Sequence, residues 1–572
     1  MVPVSPVWIL LSLGSWVVYL LPGFALARFV SLRRPVESWV VISWGLVGMG
    51  LAGLLTFYAA VAGTAFGRAA VVVLPLAAFI YLVVSGIRRR GLGSVRPMVP
   101  PVLFASAYSL LVNALGFLPG IGGPVFEFAR FRFSHSLPVD NTLPYLFATS
   151  IWSGETAPHI GGWLSSDRPP LELGTTMQVL GFLRSGTISD LGSQVASVNV
   201  QTWMLIAVWA MLLALRVRRK PSILVMLALC ASPWVVVNTF FVWPKLLVVA
   251  FLAPAVAAVI APGGKALREH PLLLGASTGL ALMAHGSAIF ALLGLATLAL
   301  FRRDVRRACV RPLAIALAPT AVIYGLWAAY QHWIDPPGDR LVKYQLTAVL
   351  DVDPRSLWQA LVDSYRSLGL EGALAERWEA VLKLFMNPFV STPITAPPFD
   401  QLVFYVRLKM FFSLFWAVGL AWLLLPTVVM LLRRRVSLSP TVRRLLVVAG
   451  LSTAWTVLLE FHAGSLHESS YLVPILLLAG LVLAGWDVWP RVTSIVVVAW
   501  VVMGTVLVYP LWLPGATHMI WVMGALRSWA VLLMMVILMA GVVVYVAAPW
   551  LPRKLWRGKP EASADRGVSA TG

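Results

Sequence analysis

Runs of apolar residues long enough to cross a hydrocarbon core of ~30 Å recur along this chain and constrain it more than any other feature. They fall at 7–30, 38–63, 68–87, 98–118, 198–216, 221–240, 244–262, 312–331, 409–432, 442–460, 470–486, 491–511 and 525–548. A segment crossing lipid must satisfy its own backbone hydrogen bonds, and runs of this length do so as helices. The expected fold is therefore all-α: a polytopic transmembrane helical protein of about 13 full spans. With 59% of 572 residues hydrophobic and 12% charged, the chain lies outside the composition of soluble domains.

The stretch 271–301 does not fit a single span. As one helix it would be roughly 45 Å long and would place Arg302, Arg303, Arg306, Arg307 and Arg311 on the outer side, against the positive-inside rule. Splitting it at His285-Gly286 gives a short-helix hairpin whose turn lies at membrane depth. Such backbone is tolerated only in a protein-lined or water-filled cavity, so His285 either faces that cavity as a ligand contact or is a satisfied buried histidine.

With the hairpin in place, Lys and Arg gather on alternate loops. The chain has 44 basic and 23 acidic residues and a formal charge of +21, and membrane orientation accounts for the excess. No footprint for nucleic acid remains. The first run has Ala25-Leu26-Ala27 but no basic stretch ahead of it and Arg28, Arg33 and Arg34 behind it. It reads as a retained helix entered from outside, not a cleaved signal. The expected topology is N-terminus outside and C-terminus cytoplasmic in a bacterial inner membrane, with the working face toward the periplasm. Cys230 and Cys309 are far apart and read as packing residues.

Two loops, 119–197 and 332–408, are too long to be connectors and fall on the outer side, where function is expected. The second carries helical patterns at Leu357, Leu361 and Tyr365 and at Leu374, Trp378 and Leu382, broken near Gly369 and Gly372. The first holds FSHSLPVDNTLPYLFATSIWSGE, where Asp140 precedes a short amphipathic helix. Asn141 or Thr142 can cap that helix, Pro144 suits its first turn, and Leu143, Phe147 and Ile151 share a face. A carboxylate at a helix N-terminus stays ionised and can accept a hydroxyl proton; Asp140 is either such a base or another cap. Further on, SSDRPPLELG places Asp167 and Arg168 before a Pro-Pro turn.

Together these motifs resemble the GT-C superfamily of integral membrane glycosyltransferases, in particular the protein O-mannosyltransferase and lipid A aminoarabinose transferase branch. Asp140 matches that branch's catalytic aspartate, and Arg168-Pro169-Pro170-Leu171 its Lys/Arg-Pro-Pro-Leu element. The resemblance covers chiefly 98–300. It departs from the pattern at Asn141, where the family has a second acid, and in three extra spans before the loop. The implied organisation is 1–97, extra N-terminal helices; 98–331, a catalytic membrane core; 332–408, an extracytoplasmic subdomain; 409–552, C-terminal helices; and 553–572, a disordered tail.

The resemblance implies an inverting transfer in which polyprenyl phosphate leaves the sugar while Asp140 takes the acceptor proton. The donor is then a polyprenyl-phosphate sugar, the acceptor a glycan, lipid or protein, and a divalent cation an optional assistant that Asn141 puts in doubt. The leaving phosphate needs cations at the bilayer surface. Lys245 in NTFFVWPKLL and Arg340 with Lys343 in YQHWIDPPGDRLVKYQ are the candidates, snorkelling being the alternative role. Glu155, Asp167 and Glu172 are candidate contacts for sugar hydroxyls or the acceptor. His135, His332, His462 and His467 form no metal spacing and read as interfacial hydrogen bonders. Two other classes stay open. An O-antigen ligase or polymerase would use arginines and a histidine of the late outer loop, and a lipid-linked sugar transporter or flippase would want ionisable groups in mid-membrane.

Overall fold

The computed structural model describes residues 7–33, 36–89, 91–117, 124–133, 137–183, 187–261, 264–386, 412–425, 438–461, 466 and 469–503. Among these the chain is helical almost throughout, and the strands are two residues each, His159–Ile160 and Trp163–Leu164.

Seven helices are long and apolar enough to cross a membrane: Val7–Arg33, Ser38–Ala62, Thr64–Arg88, Gly93–Gly116, Ile188–Ala214, Val310–Trp333 and Pro440–Leu459. An eighth is reached if Arg219–Ala231 and Pro233–Phe241, bent by 62°, form one broken span. The remaining apolar helices described are shorter, so the expected count of about 13 is not reached among the described residues. The reason is local. Ser232-Pro233 breaks one run, Lys245–Ile260 and Leu472–Val488 stop short of a full crossing, and residues 504–511 of the run 491–511 lie outside the described residues. The run 525–548, and residues 409–411 and 426–432 of the run 409–432, lie outside the described residues.

Burial sorts the helices. Ser38–Ala62 and Ile188–Ala214 are buried over 83% and 94% of their central windows, whereas Thr64–Arg88 and Val310–Trp333 are buried over only 22%. A helix that is apolar all round yet unburied needs lipid; on Thr64–Arg88, Val72, Leu76, Phe79, Val83 and Ile87 all point outward. The protein is a helical membrane protein in which, among the described residues, Ser38–Ala62, Ile188–Ala214 and Lys245–Ile260 are interior while Thr64–Arg88 and Val310–Trp333 turn apolar surface outward.

The boundary of the first loop needs correction, since the span expected at 198–216 begins at Ile188. Ser193, Gln194, Asn199 and Gln201 lower the hydropathy of its first half, but all are buried. Asn199 bonds Ser12 and Ser15, Gln194 the Phe240 carbonyl and Gln201 the side chain of Glu172. Within the loop, every residue of Leu171–Leu180 is buried, and this helix packs on Ser38–Ala62 at a glycine pair. A Cβ on Gly174 would lie 2.1 Å from the Gly53 carbonyl oxygen. Close backbone approach of this kind is what small residues permit between membrane helices.

Residues 271–301 form two helices, Pro271–Ala284 and Ala288–Phe301, that part at His285. In the second loop, Arg340–Thr347 is followed by Leu357–Met386, interrupted at Gly369, whose φ of 64° is a glycine conformation.

Candidate functional site

Asp140 opens a 3-10 turn, Asp140–Thr142, that runs directly into helix Leu143–Trp152, with Pro144 in its first turn and Leu143, Phe147 and Ile151 buried. Neither expected cap forms. Thr142 already has helical φ −80° and ψ −21°, whereas a capping side chain sits on an extended residue. Its hydroxyl instead donates to the Val139 carbonyl at 2.8 Å, and the Asn141 amide to the Phe126 carbonyl at 3.4 Å. Asp140 Oδ2 accepts from Arg168 Nη2 at 2.7 Å, and the aspartate side chain keeps 13% exposure. Its Oδ1 has no hydrogen-bond partner among the described residues.

Arg168 arrives on a tight turn. His159–Ile160 and Trp163–Leu164 pair antiparallel across Gly161 and Gly162, both at positive φ. The 3-10 turn Ser165–Asp167 follows, with Asp167 Oδ2 accepting from the Leu164 amide at 2.8 Å. Arg340 Nη2 donates to the same carboxylate oxygen at 2.9 Å, and Arg340 Nη1 donates to the Gly162 carbonyl at 2.7 Å. The neighbours Asp167 and Arg168 therefore pair with residues of two different loops. Both guanidiniums lie against the Trp163 ring, Arg168 at 4.5 Å and Arg340 at 5.4 Å, within cation–π range. Burial pushes the Asp167 carboxyl up, offset only in part by the Leu164 amide and the two arginines.

Sequence reading missed Asp335. It lies just past helix Arg303–Trp333, and its Oδ2 accepts from Ser165 Oγ at 2.6 Å and the Ser166 amide at 2.7 Å, while His159 meets its Oδ1 at 3.0 Å. Burial raises this carboxyl, but the bonds from Ser165, His159 and the Ser166 amide together hold it below the usual carboxylate range. The Tyr330 hydroxyl donates to the Thr156 carbonyl and meets Ser165 Oγ at 2.7 Å. The only sequence signal was Asp335-Pro336-Pro337, a turn resembling Asp167-Arg168-Pro169-Pro170 in its doubled proline.

Beneath Asp140, a cavity of about 10 Å³, room for about one water, is lined by Asp140, Arg168, Glu172, Trp243 and His285 among others. His285 Nδ1 accepts from the Ser287 amide at 3.0 Å, and its ring meets Trp243 edge-on with centroids 6.1 Å apart. In the neutral ring that bond leaves the proton on Nε2. Lys245, the first residue of Lys245–Ile260, is 1% exposed. Its Nζ lies 4.4 Å from the Trp243 ring and 5.4 Å from that of Tyr471, whose hydroxyl donates to Asn238. Glu172 is buried on the first turn of Leu171–Leu180 and accepts from Gln201 Nε2 at 3.2 Å, and burial pushes its carboxyl well above the usual range.

Of the residues singled out in the sequence, Asp140, Arg168, Glu172 and His285 share this cavity, with Lys245 behind Trp243. Asp167 and Arg340 stand one layer away and hold the two loops together. Lys343 is tied to Asp339 at 2.9 Å and to the Asp353 carbonyl at 2.8 Å. Glu155 is exposed beyond the end of Leu143–Trp152 and makes no side-chain contact with the cluster. His332 lies edge-on to Trp333, and His135, His462 and His467 lie outside the described residues. Among the described residues no group of three His, Cys, Asp or Glu is placed to hold a metal ion.

Fold and site together define a helical membrane protein with a charged, aromatic-walled cluster where its first long loop meets the bundle. Compared with known proteins, the chain matches no family model, no curated protein and no solved structure.

Proposed function

We propose that the protein is an inverting glycosyltransferase that moves a sugar from a polyprenyl-phosphate donor to an acceptor hydroxyl. It works at the periplasmic face of a bacterial inner membrane, in a topology of about 13 spans with the N-terminus outside and the C-terminus inside. The observation that carries this reading is the state of Asp140. One oxygen is held by Arg168 at 2.7 Å, while the other has no partner among the described residues. A carboxylate so oriented is a positioned base.

In the reaction, the acceptor oxygen bonds to the anomeric carbon as the bond from that carbon to the phosphate oxygen breaks. The hydroxyl proton passes to Asp140 Oδ1, and the bond pair leaves with the polyprenyl phosphate. Lys245 and His285, grouped around Trp243 at the N-terminus of Lys245–Ile260, supply positive charge and a donor for that anion. Arg340 and Lys343 are engaged within the protein, so the reading gives them a structural role. The same engagement weakens the ligase reading, which relies on arginines of the late loop. Asn141 stands where the resembled family has a second acid, so the base is Asp140 alone.

The test is transfer of radiolabelled sugar from polyprenyl-phosphate donors by membranes carrying wild type, Asp140→Asn or the control Glu155→Gln at matched expression. Asp140→Asn is expected to lose at least ~100-fold in transfer and Glu155→Gln almost nothing. Unchanged transfer by Asp140→Asn overturns the assignment of the base. Absence of transfer by wild type from every donor moves the reading to a ligase or flippase.

A further inference from the structure

The later half of Leu357–Met386 leaves an apolar stripe uncovered. Leu370, Leu374 and Trp378 are 79%, 62% and 65% exposed, and residues four apart stack on one side of a helix. Beside them run Glu371 and Glu379, also exposed. The outward surface is thus divided lengthwise into an apolar edge and an acidic edge.

Its depth is fixed by what holds it. Arg377, between the two edges and the protein, donates from Nη1 to the carbonyls of Val457 at 3.0 Å and Leu458 at 2.9 Å. Those carbonyls end the membrane-crossing helix Pro440–Leu459, where the last turn has no intrahelical donors. The Phe461 amide just beyond donates to the Gln345 carbonyl at 2.7 Å, and Ser364 donates to the Thr347 carbonyl at 3.1 Å. Helices Arg340–Thr347 and Leu357–Met386 are therefore bound to the end of a span, at the level where hydrocarbon gives way to water. A tryptophan with two leucines is the expected composition of a surface seated there.

We infer that the segment Leu370–Met386 is an in-plane helix on the leaflet opposite the arginine-rich end. Leu370, Leu374 and Trp378 enter the phospholipid acyl boundary, and Glu371 and Glu379 face water. This seat rests on geometry independent of the proposed reaction. Through Arg340 and Asp167 it also anchors the turn that carries Arg168 to Asp140.

The experiment places an environment-sensitive fluorophore on single cysteines, Leu370→Cys, Leu374→Cys, Trp378→Cys, Glu371→Cys or Glu379→Cys, in full-length protein lacking Cys230 and Cys309. Each is reconstituted into phospholipid nanodiscs with or without brominated acyl chains. The expected result is an alternation: labels at 370, 374 and 378 are quenched by brominated lipid and shielded from iodide, and labels at 371 and 379 the reverse. Equal iodide quenching at all five positions, with no effect of bromine, overturns the inference in favour of a water-facing helix. Shielding of all five from both quenchers overturns it in favour of a protein partner.

Discussion

Asp167 and Arg340 are almost wholly buried, at 1% and 9% side-chain exposure, and pair at 2.9 Å. Removing one partner of such a pair strands a buried charge and costs about 3–5 kcal/mol, whereas removing both is far milder. Asp167→Asn and Arg340→Met are each expected to lower stability by about that amount in chemical unfolding of detergent-solubilised protein. The double substitution should cost much less than the sum; strict additivity would mean that the pair does not hold the loops together. Arg168 differs, because its Asp140 partner keeps an oxygen for other use. Adjacent residues of one short motif thus separate into a latch and a holder for the candidate base.

At the scale of elements, the motif is delivered by the buried helix Leu171–Leu180, and that helix is seated by Gly174 on Gly53. Gly174→Val would put a Cβ 2.1 Å from the Gly53 carbonyl oxygen, backbone that cannot swing aside. Overpacking of this kind costs about 1–3 kcal/mol or more. The variant is expected to fold in lower yield, with transfer lost alongside, as read by fluorescence size-exclusion profiles. Gly450→Val, where a Cβ meets nothing within 4 Å, should match wild type. A normal profile for Gly174→Val would show that the helix can shift without consequence.

The whole molecule is polarised, with the Asp140 cluster at one end of the bundle and arginines such as Arg303 and Arg306 at the other. In the proposed topology the positive-inside rule puts the arginine end inside. Glu155→Cys is expected to react with a membrane-impermeant maleimide in intact spheroplasts, and Arg303→Cys only after permeabilisation; the reverse pattern would invert the topology. Both residues are exposed in the structure, so failure to label reports sidedness and not burial.

The sequence by itself determined the class of protein, because the need to satisfy backbone hydrogen bonds in lipid acts on each apolar run independently of the rest. It also located Asp140, Arg168 and the break at His285, each marked by a local signal: a helix start, a double proline, a hydrophobic run too long to span once. Span boundaries were less legible. The polar first half of Ile188–Ala214 hides its burial, since Asn199 and Gln201 find partners only on other helices. Only the tertiary structure decided that Asp167 belongs to Arg340, that Asp335 clasps Ser165, and that Trp163 lies against two arginines. Ser165 and Asp335 are 170 residues apart and Asp167 and Arg340 are 173 apart, and no local propensity connects them. They pair because helix packing brings two loops to one end of the bundle, where a buried charge without a partner would cost more than the fold can sustain.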